Sequence, residues 1–240
     1  YYLDGEPIGA LEGHQGSTAQ VDVIATFLPR IVIDSLGTAL ERAGLDMLSL
    51  TLEPIAAMHV VVPPTMRLLN VALVDVGAGT SDLAISADGT IKAYGMISYA
   101  GDAMTTGLAE HFLLDFKVAE KLKVELKPQE LSVCHDVFGN ELSLTYEEVV
   151  EVLRPRVETL AEKIAQEIIA LNGSAPKGVI LIGGGSRIPG LAELVAQKLN
   201  LPENLVRMRD RDSLSIVQGS PHFSGPEAIT PIGIGCTHLD

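Results

Sequence analysis

Tryptophan is missing from this 240-residue chain, which holds only five Tyr and five Phe. Its core must therefore be assembled from Val, Ile, Leu and Ala. Cysteine is rarer still: Cys134 and Cys236 lie far apart and fit no metal-ligand spacing, which excludes a disulfide framework and suits reduced thiols in a cytosolic protein. The six His show no paired spacing of the metalloprotease kind. Nowhere does an apolar run approach the roughly 18 residues of a membrane-crossing helix, so no membrane segment is expected, and no signal peptide opens the chain. Positive charge is scarce as well, with 17 Lys and Arg against 31 Asp and Glu, a formal net charge of −14. Without a basic run to override it, that surface repels phosphate backbones, and no nucleic-acid partner is expected. The first residues, Tyr-Tyr-Leu-Asp-Gly, read as a strand entering a turn, as though cut from inside a longer protein.

What is present alternates between strands and helices. Tyr1 to Gly16 reads as a strand with a glycine-rich turn, and Val21 to Phe27 as a β-branched strand. The helical spacing of Ile33, Leu36, Leu40 and Ala43 stops at Gly44. Leu48 to Leu52 reads as a short strand, after which Glu53-Pro54 opens a helix with proline in its first turn. Val71 to Val76 is a continuous apolar strand holding one acid, Asp75. Two more strands, Leu83 to Ser86 and Ile91 to Met96, are joined by the hairpin signal Asp88-Gly89. Helices read over 105–114 and 117–126, and a hairpin around Gly139-Asn140. A long amphipathic helix follows over 146–171, opened by a Thr145–Glu148 capping box. Gly178 to Ile182 is a fully apolar strand, followed by a helix over 190–199 and a last small-residue helix within Pro226 to Cys236. This order implies an α/β fold with a mixed or parallel sheet covered on both faces.

Four features carry chemistry. Asp75-Val76-Gly77-Ala78-Gly79-Thr80-Ser81-Asp82 runs off a buried strand into a turn, where Gly77 and Gly79 allow positive φ and a close anion, and Asp75 can meet Mg²⁺ directly or through water. A glycine-rich hairpin with an ordinary acid accounts for the same letters. Gly183-Gly184-Gly185-Ser186-Arg187 lies between a strand and a helix, where a flat ligand can rest on the backbone and Arg187 can stack on a ring. Glu120 and Lys123 share a helix face and suit either ribose hydroxyls or a solvated ion pair. Glu53 stands at a strand-to-helix junction, where a surface acid is equally at home.

In this order the four resemble the actin and DnaK-chaperone ATPase superfamily. Its second phosphate loop reads Asp-x-Gly-x-Gly-Thr, as Asp75, Gly77, Gly79 and Thr80 do. Its adenosine loop pairs glycines ahead of Pro-Gly, as Gly184, Gly185, Pro189 and Gly190 do. The Glu-Pro-x-Ala-Ala junction matches Glu53, Pro54, Ala56 and Ala57. Within the superfamily the chain most resembles the FtsA family, through Leu-Glu-Pro ahead of Val-Asp-x-Gly-x-Gly-Thr-x-Asp over Leu52 to Asp82, and through Pro-Arg-Val-Glu at Pro155 to Glu158.

The resemblance implies an actin-like ATPase (ribonuclease H-like) fold with part of an inserted FtsA-type subdomain over 1–50. It further implies a connecting segment of the first lobe over 51–70 and a second lobe over 71–240, helical at about 102–175. It implies ATP and Mg²⁺ as cofactors, Asp75 at the metal, Glu53 orienting the attacking water, Glu120 and Lys123 at the ribose and adenine edge, and Gly101 with Thr105 beneath the sugar. It also implies bacterial cell division through self-association into actin-like filaments, a tubulin-like division partner, and membrane association only through an amphipathic helix not visible by Asp240. Thr106 and Gly107 stand where the family carries an Asp. The first phosphate loop of the superfamily is not in this sequence. The same residues leave open a non-hydrolysing pilus-assembly-type scaffold and, further off, a DnaK-like chaperone or a sugar-kinase-type enzyme.

Overall fold

The computed structural model describes residues 1–23, 25, 27–63, 65–214 and 224–236, and the chain divides into two units, Tyr1–Leu50 and Thr51–Asp240. In the first, three short strands form one antiparallel sheet: β1 (Tyr2–Leu3) pairs with both β2 (Glu6–Pro7) and β3 (Ala19–Gln20). Asp4 and Gly5, at φ 52° and 89°, make the left-handed turn. The Asp4 carboxylate accepts the amides of Ser17 and Thr18 at 2.8 and 2.7 Å and closes the loop. Helix α1 (Arg30–Arg42) follows and ends ahead of Gly44, whose φ is +71°. No described residue of this unit is buried, and Ile31, Val32 and Leu36 of α1 stay exposed.

Two expected strands are absent here. The described positions between Val21 and Phe27 carry no regular structure, with 24 and 26 outside the described residues, and Leu48 to Leu52 is likewise irregular. A strand needs a neighbouring strand for its ladder, and neither stretch belongs to a sheet among the described residues.

The second unit is built on a five-stranded sheet. Helix α2 (Glu53–Val61) comes first, then β4 (Val71–Val76), β5 (Ser81–Ala87) and β6 (Thr90–Ile97). Helices α3 (Gly101–Phe112) and α4 (Phe116–Glu125), the hairpin β7 (Ser132–His135) and β8 (Glu141–Leu144), and the long α5 (Tyr146–Asn172) follow. The chain then runs through β9 (Gly178–Ile182), α6 (Leu191–Lys198), β10 (Val206–Met208) and α7 (Ile229–Cys236). The sheet order is β10-β9-β4-β5-β6, parallel from β10 to β4 and antiparallel from β4 to β6. Strands β4 and β9 are central and covered on both sides, which is why they read as unbroken apolar runs.

Strand alternation sorts β4 onto two faces. Ala72, Val74 and Val76 pack with α3, α5 and α6, whereas Val71 and Leu73 pack with Ala57, Met58 and Val61 of α2 and Ile229 of α7. Helices α2 and α7 approach closely because position 233 is glycine, where a Cβ would run into the carbonyl of Ala56 and the amide of Ala57. Helix α5 starts at the capping box of Thr145 and Glu148, ends at Gly173 with φ 78°, and runs unbroken through Pro155. Its last residue, Asn172, exchanges amide hydrogen bonds with Asn70 at 2.7 and 2.8 Å, tying the helix to the start of β4.

Candidate functional site

The site residues gather where β4 and β9 end. Asp75 is paired across the ladder with Asp82 on one side and Ile182 on the other, so it stands between a second acid and the glycine turn that leaves β9. One carboxylate oxygen of Asp75 accepts the Thr230 hydroxyl at 2.5 Å. The other faces Gly183, where a Cβ would collide with it and with the Val76 carbonyl. Burial pushes the Asp75 carboxyl above its ordinary range and the Asp82 charge adds to this, against the opposing Thr230 bond. Asp82 is raised mainly by burial, although Thr80 donates to it at 3.2 Å. Glu53, the first residue of α2, is raised by burial and then by the charges of Asp75 and Asp82, so the three carboxylates share one electrostatic space.

Among the described residues no three His, Cys, Asp or Glu side chains stand close enough together to hold a metal ion outright. The donor set instead fits Mg²⁺, which keeps most of its waters and needs one or two carboxylates beside phosphate oxygens.

Beyond β4 the chain makes a tight turn, closed by the Gly77 amide donating to the Thr80 carbonyl at 3.0 Å. The carbonyls of Gly77 and Ala78 accept the amides of Gly101 and Asp102, at the start of α3, at 3.1 and 2.7 Å. Contrary to the sequence expectation, neither Gly77 nor Gly79 takes a left-handed φ; extended or right-handed backbone suffices, and Ala78 is accommodated for the same reason. A Cβ at Gly79 would meet nothing closer than Asp102 Oδ2 at 3.8 Å, so the chain's own packing does not demand glycine there. Among the described residues nothing accepts from the amides of Ala78 and Gly79.

The second glycine turn divides the same way. Gly183 has φ +79°, Gly185 lies against the Val76 side chain and carbonyl, and Gly184 faces open space. The Ser186 hydroxyl donates to the Gly183 carbonyl at 2.6 Å, and the Gly183 amide donates to the Pro226 carbonyl at 3.1 Å. Arg187, read from the sequence as able to stack on a ring, pairs with Glu227 at 3.2 Å.

Glu120 and Lys123 do pair, 2.7 Å apart, with the Glu120 side chain 40% exposed. The Lys123 side chain is only 12% exposed. Its ammonium also donates to the Thr105 hydroxyl at 2.8 Å and to the Gly101 carbonyl at 3.1 Å, which uses all three protons. Thr105 donates in turn to the oxygen of Glu120 that takes Lys123. Burial works against the charge on Glu120, but the bonds from Lys123 and Thr105 and the Lys123 charge outweigh it and hold the carboxyl below its ordinary range. Through Gly101 this cluster connects to the 77–80 turn.

Contacts thus link Asp75 to Gly183 and Thr230, and the 77–80 turn through Gly101 to Lys123, Thr105 and Glu120. Thr105, expected with Gly101, is tied into the Glu120–Lys123 pair. Thr230 gave no signal at all, being one hydroxyl in an apolar tail 155 positions from Asp75.

A family model described as Cell division protein FtsA matches residues 72–233. Cell division protein FtsA of Pseudomonas aeruginosa is 28% identical over 194 residues, covering 76% of this chain and 46% of the relative. That of Bacillus subtilis is 23% identical over 218 residues, covering 85% and 47%. The chain therefore spans about half the length of the curated relatives it matches. Among solved structures, the PilM-PilN type IV pilus biogenesis complex aligns with a TM-score of 0.65 at 21% identity, covering 88% of this chain and 59% of that one. MreB5 of Spiroplasma citri bound to ADP gives 0.65 at 17% identity, covering 88% and 66%. At such identities the structural likeness speaks for the fold, which is the actin-like ATPase fold. The family match covers most of the chain, and the chain belongs to the FtsA family.

Proposed function

We propose that this chain carries the phosphate turn and adenosine loop of a Mg²⁺–ATP site, in an actin-family protein that acts in bacterial cell division through nucleotide-dependent assembly. The observation that carries the reading is the convergence, outside the carboxyl ends of β4 and β9, of Asp75, the open amides after Gly77, the Gly183–Arg187 turn and the Glu120–Lys123–Thr105 cluster. That crevice is where open α/β sheets bind ligands.

Each residue then has a task. Asp75 holds the water shell of the cation. The amides of Ala78 and Gly79 receive phosphate oxygens, supported by Thr80. The Glu120 oxygen left free by Lys123 and Thr105 accepts a ribose hydroxyl, and Arg187 covers the base once it leaves Glu227. Glu53 positions a water for in-line attack, so that catalysis rests on placement and electrostatics. When bound, ATP would supply the phosphoanhydride, and Mg²⁺ the positive charge between its phosphates and the carboxylates.

In this reading Tyr1–Leu50 is the remainder of the inserted FtsA-type subdomain, and the exposed apolar residues of α1 serve association. The nucleotide would set the angle between lobes and with it self-association and engagement of a tubulin-like partner. Because the first phosphate loop is not in this sequence, calorimetry on the chain itself should show weak Mg²⁺–ATP binding and no turnover; mid-micromolar or tighter affinity contradicts this. In the full-length protein, Glu53→Ala should abolish turnover and keep binding, whereas a non-hydrolysing scaffold would lose no function.

A further inference from the structure

Thr230 is nearly buried, at 9% exposure, and its hydroxyl proton goes to Asp75 Oδ2 at 2.5 Å. The opposite oxygen of Asp75 faces the space that Gly183 leaves by lacking a Cβ. One oxygen of the carboxylate is therefore held by a hydrogen bond, and the other lies along the open edge of Gly183. Thr230 also belongs to a short segment that touches the rest of the site. Four residues earlier, the Pro226 carbonyl takes the Gly183 amide, and Glu227 holds Arg187. Three residues later, Gly233 sits on the backbone of Ala56 and Ala57, one turn from Glu53.

We propose that Thr230 is a positioning residue for the metal: its hydroxyl fixes the Asp75 carboxylate in the orientation that takes a Mg²⁺-bound water, and so couples metal occupancy to the 225–236 segment. This rests on the reading of Asp75 given above. A partner that orients a metal-associated carboxylate commonly matters 10- to 100-fold for metal affinity, about what losing this one bond should cost.

The test is the affinity of the full-length protein for a fluorescent ATP analogue across a Mg²⁺ titration, with a chelator baseline. Thr230→Val keeps the shape and removes the hydroxyl. It should raise the half-effect Mg²⁺ concentration about 10- to 100-fold, and Thr230→Ser should restore it. An unchanged Mg²⁺ midpoint in folded Thr230→Val overturns the proposal. So does an equal loss of affinity with and without metal, which is the mark of a merely structural role. If Thr230→Val does not fold, Thr230→Ala is read by the same criteria. A wild-type protein whose affinity ignores Mg²⁺ overturns the metal reading of Asp75, and this inference with it.

Discussion

Glycines that look alike in the sequence do different work at Gly183, Gly184 and Gly79. Gly183 is required twice over, by its left-handed φ and by the Asp75 and Val76 atoms that a Cβ would strike. Among the described residues nothing demands glycine at Gly184 or Gly79, and the proposed nucleotide site supplies a reason for them. Gly183→Ala should therefore cost at least about 2 kcal/mol in urea denaturation, combining backbone strain with overpacking. Gly184→Ala should change stability by less than about 1 kcal/mol while weakening nucleotide binding. The carboxylates at the same turn give a pH prediction. The unfolded chain loses these protons near ordinary carboxylate values, while the raised groups of the folded chain hold them to higher pH. Their contribution thus favours the fold on the acid side and is lost as pH rises through the raised folded values. Asp75→Asn should consequently raise the melting temperature at pH 7, with the gain shrinking as pH falls toward the ordinary Asp value of about 4. Glu120 has the opposite sign, its lowered carboxyl contributing above the ordinary range and losing that contribution on acidification. Asp75 was legible because a lone acid in an apolar strand is conspicuous. Thr230 was not, because hydrogen bonding between distant segments leaves no local pattern.

Elements were legible in proportion to how local their causes are. Helix α5 could be bounded within a residue or two, since its periodicity, its capping box and its left-handed terminal Gly173 all lie in its own sequence. The hairpin at Asp88-Gly89 was equally plain, with both residues at positive φ. Val21 to Phe27 misled because β-branched residues state a preference, whereas a strand exists only with a partner. The contact of α2 with α7 was invisible for the converse reason: it depends on Gly233 meeting Ala56 and Ala57 from far along the chain. Replacing Gly233 with Val should overpack that contact and destabilise the protein by about 1–3 kcal/mol or more, seen as a lower urea midpoint. A milder loss of about 1 kcal/mol is expected for Thr145→Ala at the α5 cap.

At the scale of the molecule, the two units differ in what holds them. Thr51–Asp240 buries both faces of its sheet, while the described residues of Tyr1–Leu50 include no buried side chain. Removing residues 1–50 should therefore leave the cooperative unfolding of 51–240 unchanged in midpoint and slope, measured by circular dichroism in urea. A lowered slope would show that the first unit belongs to the same cooperative block. The α/β class and the central strands could be read from composition and alternation. The order of the strands could not, since it is settled by which distant segments pair.

The bonds from the start of α3 to the carbonyls of Gly77 and Ala78 have a consequence for aim. A trans peptide unit is a rigid plate with its C=O and the next N–H on opposite edges. Turning those two carbonyls toward α3 necessarily turns the amides of Ala78 and Gly79 to the far side of the turn. The helix thus acts on the turn as a pointing mount. If α3 shifts against the sheet, the two donors swing with it, and an anion bound there would register that movement.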